Sequence, residues 1–179
     1  MPFTTNNIED ITILDEYIDI DRENELLSII DAQQWNHKLS RRVQHYGWKD
    51  NCKNKKDYFG PIPQWLNTTI ESLEKIFEIK PNQVVINEYL PGQGVIAHTD
   101  CLHCFGPTIA SLSLISPVQM DFSKPGKPLH PILLKHRSLC VLQGEARYEW
   151  KHGIAKRTRD SEFGLIRQRR VSLTFRNVL

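Results

Sequence analysis

The chain has 179 residues, 40% apolar and 25% charged, the composition of a globular domain with a real core and too little length for two. No apolar run approaches the roughly 20 residues a bilayer-spanning helix needs. The acidic, polar start "MPFTTNNIED" also lacks the basic start and apolar core of a secretory signal. Four cysteines in that setting read as reduced intracellular thiols rather than a disulfide framework, so an intracellular protein (cytoplasmic or nuclear) with no membrane partner is expected.

The net charge of +2 is unevenly spread. Residues 1–31 hold nine acids and one base, 32–56 hold seven bases and one acid, and 124–179 hold thirteen bases and four acids. Such blocks are ordinarily solvated faces. If the two basic blocks met on one face, they would attract phosphates.

In chain order, "DRENELLSIIDAQQW" places Leu26, Leu27, Ile29 and Ile30 on a helical stripe with acids in its first turn. "PIPQWLNTTIESLEKIF" does the same with Trp65, Leu66, Thr69, Ile70, Leu73, Ile76 and Phe77 after helix-starting prolines. From residue 83 the texture changes to short β-branched and aromatic runs between turns: "QVVINEYL", "TIASLSLI", "PVQMDF", "SLCVLQG" and "RRVSLTFR". Helices followed by short strands predict an α+β fold, an antiparallel sandwich or jelly roll buttressed by N-terminal helices. One domain is expected, with residues 1–82 helical and residues 83–179 the jelly-roll core.

The chemistry centres on "NEYLPGQGVIAHTD". His98 and Asp100 follow a Pro-Gly turn, and side chains two apart on a strand share a face, with Cα atoms about 6.6 Å apart. They can converge on one ion, but a His-x-Asp pair also occurs by chance at surfaces, so a third ligand is needed. His103, His130, His136 and His152 are the candidates. In "GEARYEWKHGI" a strand would put Tyr148, Trp150 and His152 on one face, where His152 is either a satisfied core histidine or the distal member of a two-histidine, one-carboxylate triad. That triad leaves adjacent positions open and is diagnostic of non-heme Fe(II) oxygenases.

The strand "RRVSLTFR" sharpens the choice. Val171, Leu173 and Phe175 alternate with Arg170, Ser172, Thr174 and Arg176, so two arginines project from the face opposite the apolar one. Inside a sandwich they would need an anion, and a dicarboxylate suits guanidinium geometry; on an exposed edge they would simply be solvated. Asn87 and Tyr89 share a strand face and would add an amide and a phenol to the same ligand.

On "NEYLPGQGVIAHTD", "SLCVLQGEARYEWKHGI" and "RRVSLTFR", with "RRVQHYGW" upstream, the chain resembles the AlkB-like iron(II)- and 2-oxoglutarate-dependent dioxygenases over about residues 41–178. The likeness is closest to the branch that hydroxylates a modified wobble uridine in tRNA. Ser172 departs from the asparagine of the bacterial DNA-repair prototype, and the RNA-recognition and methyltransferase domains usual in the tRNA branch are missing from these residues.

The resemblance implies that His98, Asp100 and His152 bind Fe(II). Arg170 would meet the distal carboxylate of 2-oxoglutarate, Arg176 its C1 end, and Asn87 and Tyr89 the same pocket. It also implies that O2 drives oxidative decarboxylation to succinate and CO2 coupled to hydroxylation of a substrate C–H, with the N-terminal part lying over the substrate entrance.

"RRVQHYGW" interleaves Arg41, Arg42, His45, Tyr46 and Trp48, the mixture expected where bases stack and phosphates pass, or equally a strand with one buried aromatic face. "CLHC" has the spacing of a zinc half-site without a second pair, so a turn with two thiols is expected. The expected function is oxidation of single-stranded DNA, RNA or tRNA, chiefly demethylation of N-alkylated bases, with hydroxylation of a tRNA wobble uridine or a protein side chain as alternatives. A non-catalytic metal-binding jelly roll is the reading from another class. Oligomeric state is not legible.

Overall fold

The computed structural model describes residues 8–50 and 56–179; Cys52, Lys53 and Lys55 lie outside them. In chain order the elements are β1 (Ile11–Leu14), α1 (Ile20–Ala32), β2 (Val43–Asp50), β3 (Lys56–Tyr58), α2 (Asn67–Ser72), β4 (Gln83–Tyr89) and β5 (Val95–His98). There follow β6 (Ile109–Leu114), β7 (Val118–Ser123), β8 (His130–Leu134), β9 (Leu139–Leu142), α3 (Gly144–Tyr148) and β10 (Lys151–Ile154), then β11 (Arg159–Asp160), β12 (Leu165–Ile166) and β13 (Arg170–Arg176).

The strands form a larger sheet in the order β1-β9-β6-β13-β4-β2-β3, a smaller one in the order β5-β10-β7-β8 and a two-stranded ribbon of β11 and β12, antiparallel throughout. The N-terminal 82 residues thus supply three strands of the larger sheet as well as helices. This is the α+β jelly roll with N-terminal helices.

Two apolar layers follow from strand alternation. Leu26 and Ile30 of α1 pack with Leu66, Ile70, Leu73 and Phe77 onto the outer face of the larger sheet, against Val84, Ile86, Leu173 and Phe175. The inner layer joins Tyr89, Cys140 and Leu142 to Met120, Phe122 and Ile154 of the smaller sheet. The second helical stripe is broken into a 3-10 turn at Gln64–Leu66, α2, and further turns after Ser72, yet its apolar face stays continuous because Phe77 N–H still reaches the Leu73 carbonyl (3.0 Å).

Part of the C-terminal basic block is paired with acids from the start of the chain. Lys135 pairs with Asp15 (2.6 Å), Arg137 with Glu16 (2.7 Å) and Glu23 (3.3 Å), and Arg169 with Asp31 and Glu88 (2.6 Å for the latter). The acidic N-terminal block thus supplies counter-charge to three of the thirteen bases of the C-terminal block, Lys135, Arg137 and Arg169.

Two local expectations are corrected. Residues 144–148 are helical rather than strand, because Asp10 Oδ2 accepts from the Glu145 N–H (2.9 Å) beside Gly144, whose φ is 41°. Tyr148 is consequently exposed and does not share a strand face with Trp150 and His152. Cys101 and Cys104 are not two free thiols: the tight turn between them brings their Cα atoms to 5.4 Å and they are joined in a disulfide.

Candidate active site

His98 closes β5, directly opposite His152 of β10, and their ring centroids lie 4.7 Å apart. Asp100 follows two residues later and is buried. One ligand atom from each of the three side chains falls within 4.8 Å of the others. His98 Nδ1 sits 2.8 Å from the Ile96 carbonyl, which fixes the ring as an Nδ1–H donor and leaves Nε2 as the ligand atom. His152 Nε2 lies 3.5 Å from Asp100 Oδ2.

The loop carrying Asp100 is held from beneath by Arg147. This fully buried residue donates to the carbonyls of Asp100 (3.0 Å) and Cys101 (2.8 Å). His103, His130 and His136 are elsewhere; His130 packs edge-on to Trp150, and His136 lies beside Arg137.

The electrostatics match a cation site. Burial raises the Asp100 pKa, but Arg176, His152, His98 and Arg147 outweigh it, so the carboxylate is held below its usual range. Burial pushes the His152 pKa down to about 4, with His98, Arg176 and Arg147 adding and Asp100 opposing, so the ring is neutral and free to ligate near pH 7. Asp100 Oδ2 and His152 Nδ1 are buried without a hydrogen-bond partner among the described residues. Two imidazoles and a carboxylate converging from one side suit Fe(II) with open positions opposite.

The adjoining cavity, ≈ 260 Å³, is lined by these three residues and by Asn87, Tyr89, Arg170 and Arg176. Arg170 is 2% exposed and donates to Ser113 Oγ (2.8 Å), while its Nε has no partner and no carboxylate pairs with it among the described residues. Burial lowers its pKa to about 10, so it remains cationic. A buried guanidinium without a counter-ion costs several kcal/mol of desolvation, on the order of 3–5, which a bound anion would offset. Arg176 instead meets Asp100 Oδ1 (2.7 Å) and Gln83 Oε1 (3.1 Å), which ties the second arginine to the Asp100 carboxylate itself.

The five basic and aromatic residues of "RRVQHYGW" divide by strand parity. Arg41 and His45 line the cavity: Arg41 donates to Asn87 Oδ1 (2.9 Å) and lies over the Tyr89 ring, 5.7 Å from its centroid. Arg42 points the other way, to Glu88 (2.5 Å) and over Trp35. Tyr46 packs edge-on to Trp65 under the helices, and Trp48 packs on Tyr58 outside the cavity. Arg42, Tyr46 and Trp48 are therefore removed from the set that can touch a substrate in the cavity. Sequence reasoning missed Arg147, Ser113 and Lys49. The period of two in β2 signals Lys49, which shares the side of His45, whereas nothing local signals Arg147 or Ser113.

A sequence model of the 2OG-Fe(II) oxygenase superfamily matches residues 22–176, and the chain belongs to that superfamily. It is 35% identical to "Uncharacterized protein L905" of Acanthamoeba polyphaga mimivirus, over 97% of this chain and 87% of that protein. It is 38% identical to the tRNA (carboxymethyluridine(34)-5-O)-methyltransferase ALKBH8 of Macaca fascicularis over 84% of this chain, which spans only 25% of that relative. The solved structure of OsALKBH1 superposes with a TM-score of 0.73, covering 98% of this chain and 100% of that one at 13% identity, which shows the shared fold. Within the superfamily the chain is AlkB-like, an enzyme dependent on Fe(II) and 2-oxoglutarate.

Proposed function

We propose that the chain oxidises a base in single-stranded nucleic acid inside the cell, chiefly by demethylating an N-methylated base, and that His98, Asp100 and His152 hold the iron. The observation that carries this reading is one cavity lined by three convergent ligands, the unpaired cation Arg170 and the basic residues Arg41 and Lys49. Bound iron would couple oxidative decarboxylation of 2-oxoglutarate with hydroxylation of a substrate C–H at the expense of O2, one oxygen atom ending in succinate, beside CO2, and the other in the new hydroxyl. Arg170, steadied by Ser113, binds the distal carboxylate; Arg176 orients both Asp100 and the C1 end; Asn87 and Tyr89 close the pocket's side.

On an N-methyl group the hydroxylated product collapses to formaldehyde and the free base; on a ring carbon the hydroxyl stays. A base within a duplex would have to be extruded at a cost of a few kcal/mol, about 2–4, so unpaired substrate is favoured. A second reading, hydroxylation of a modified tRNA uridine, is supported by the identity to ALKBH8. The test is a mass-spectrometric screen with Fe(II), ascorbate and 2-oxoglutarate against methylated oligonucleotides and tRNA. Formaldehyde with loss of a methyl group is expected. A stable hydroxyl on tRNA selects the second reading, and turnover with a protein substrate alone defeats both.

A further inference from the structure

A second hollow of ≈ 570 Å³ adjoins the cavity, lined by Trp35, Asn36, His37, Lys38, His45 and Phe59 among others. That volume lies within the about 300–1,000 Å³ typical of ligand sites. His45 lines both hollows and stands between them.

The backbone at that wall is unusual. Glu88 N–H donates to the Arg42 carbonyl and Trp48 N–H to the Asn82 carbonyl (3.0 Å each), so even-numbered residues of β2 turn their backbone groups toward β4 and odd-numbered ones turn them outward. Val43 exchanges both of its outward bonds with Asn36 (2.8 and 3.0 Å). Gly47 accepts from Phe59 N–H (2.9 Å) and donates to the Gly60 carbonyl (3.0 Å). His45, between them, faces outward with no strand alongside it among the described residues. The edge of β2 thus has a window one residue wide, presenting one N–H donor and one C=O acceptor.

An added peptide strand cannot use this window, because it needs alternate outward residues and those at 43 and 47 are already bonded. A planar group with an adjacent donor and acceptor can, and every nucleobase carries such a pair on its Watson–Crick edge. Phe59, 48% exposed, supplies an aromatic wall beside it, and its ring packs with His45 at 5.6 Å. Cations stand at both ends: exposed Lys38 at one, Lys49 over Phe59 at the other.

We propose that this hollow seats the base adjacent to the target, its edge bonded to His45 N–H and C=O, its face against Phe59 and its phosphates near Lys38 and Lys49. The inference rests on the nucleic-acid reading above. Because all four bases offer a donor and an acceptor, the subsite tolerates sequence and senses the presence of a base.

The test uses the full chain loaded with Mn(II) and 2-oxoglutarate and five-residue single-stranded DNA that is abasic except at chosen positions. Two adjacent thymines should bind about tenfold tighter than one, the gain expected for one base on an aromatic platform. Phe59→Ala should abolish that gain while leaving single-thymine binding. In the unaltered protein, a 4-thiothymine at the second position should photocrosslink to Phe59 or Trp35, which keeps the test independent of how the variant folds. If the second thymine adds nothing, if the gain survives Phe59→Ala, or if crosslinks fall elsewhere, the subsite is wrong and nucleic-acid binding stands. If no oligonucleotide binds at low salt, the nucleic-acid reading falls as well.

Discussion

His98 and His152 face each other across the β5–β10 ladder, and the residue after His152 lets them do so. A Cβ on Gly153 would stand 2.8 Å from both Cα and N of Ala97, closer than packed atoms tolerate. Gly153→Ala should therefore push β5 off β10 and spread the iron ligands. The expected cost is about 1–3 kcal/mol of stability, together with weakened Mn(II) binding in a fluorescence or calorimetric titration. Unchanged metal affinity would mean that the two strands can separate without moving the histidines.

Arg170 is predicted to act oppositely on stability and on binding. Replacing this unpaired buried cation with methionine should raise the melting temperature of the ligand-free protein, because its desolvation cost disappears. The same change should weaken 2-oxoglutarate binding by about 2–5 kcal/mol. Arg170→Lys should restore only part of it, since a point charge replaces a planar fork. An Arg170→Met protein that melts lower and binds 2-oxoglutarate normally would show that the side chain serves packing instead.

Arg41 and Arg42 should separate cleanly. Arg42→Ala strips a partner from buried Glu88 and should cost about 1–2 kcal/mol in chemical denaturation. Arg41→Ala removes the donor to Asn87 Oδ1 at the cavity wall, where water can replace it, and should cost no more than about 1 kcal/mol, but weaken oligonucleotide binding and reduce its salt slope by about one. Equal effects of the two variants on binding would contradict their placement on opposite sides of the sheet.

Asp160 gives the pH dependence a sign. It is fully buried and accepts from Arg167 (2.7 and 2.9 Å), Arg157 (2.8 Å) and the Gln119 N–H (3.0 Å). Burial alone would raise its pKa, but the bonds from Arg167, Gln119 and Arg157 outweigh it and hold the carboxyl below its ordinary value. Its contribution is therefore full above the unfolded pKa of about 3.9 and is lost as pH falls through the lower folded value. Asp160→Asn should cost about 3–5 kcal/mol near neutrality and flatten the acid limb of the stability profile. An unaltered acid limb would place the sensitivity in other carboxylates.

Much of the fold and site was legible because strand parity is a local property. "RRVSLTFR" separates Val171, Leu173 and Phe175 from Arg170 and Arg176, and β13 places the two sets on opposite faces. The same parity, applied to "RRVQHYGW", would have divided His45 from Tyr46. The aromatic and basic mixture drew attention to composition instead. What stayed hidden depends on contacts between distant residues. Asp10 reaches across 135 positions to turn residues 144–148 into a helix, and the acidic start of the chain neutralises bases more than a hundred residues away. No window along the sequence contains both partners.

The position of β13 has a kinetic consequence. This strand, last in the order of the chain, lies between β6 and β4 near the middle of the larger sheet and carries both arginines. Until residues 170–176 have left the ribosome, β4 and β6 each present an unpaired apolar edge, the kind that recruits other chains. The nascent protein is thus at its most adhesive while β4 and β6 are out and residues 170–176 are still to emerge. The same insertion that hides those edges also brings in the guanidinium that awaits an anion, so the first moment of safety from aggregation is also the first moment at which 2-oxoglutarate can be held.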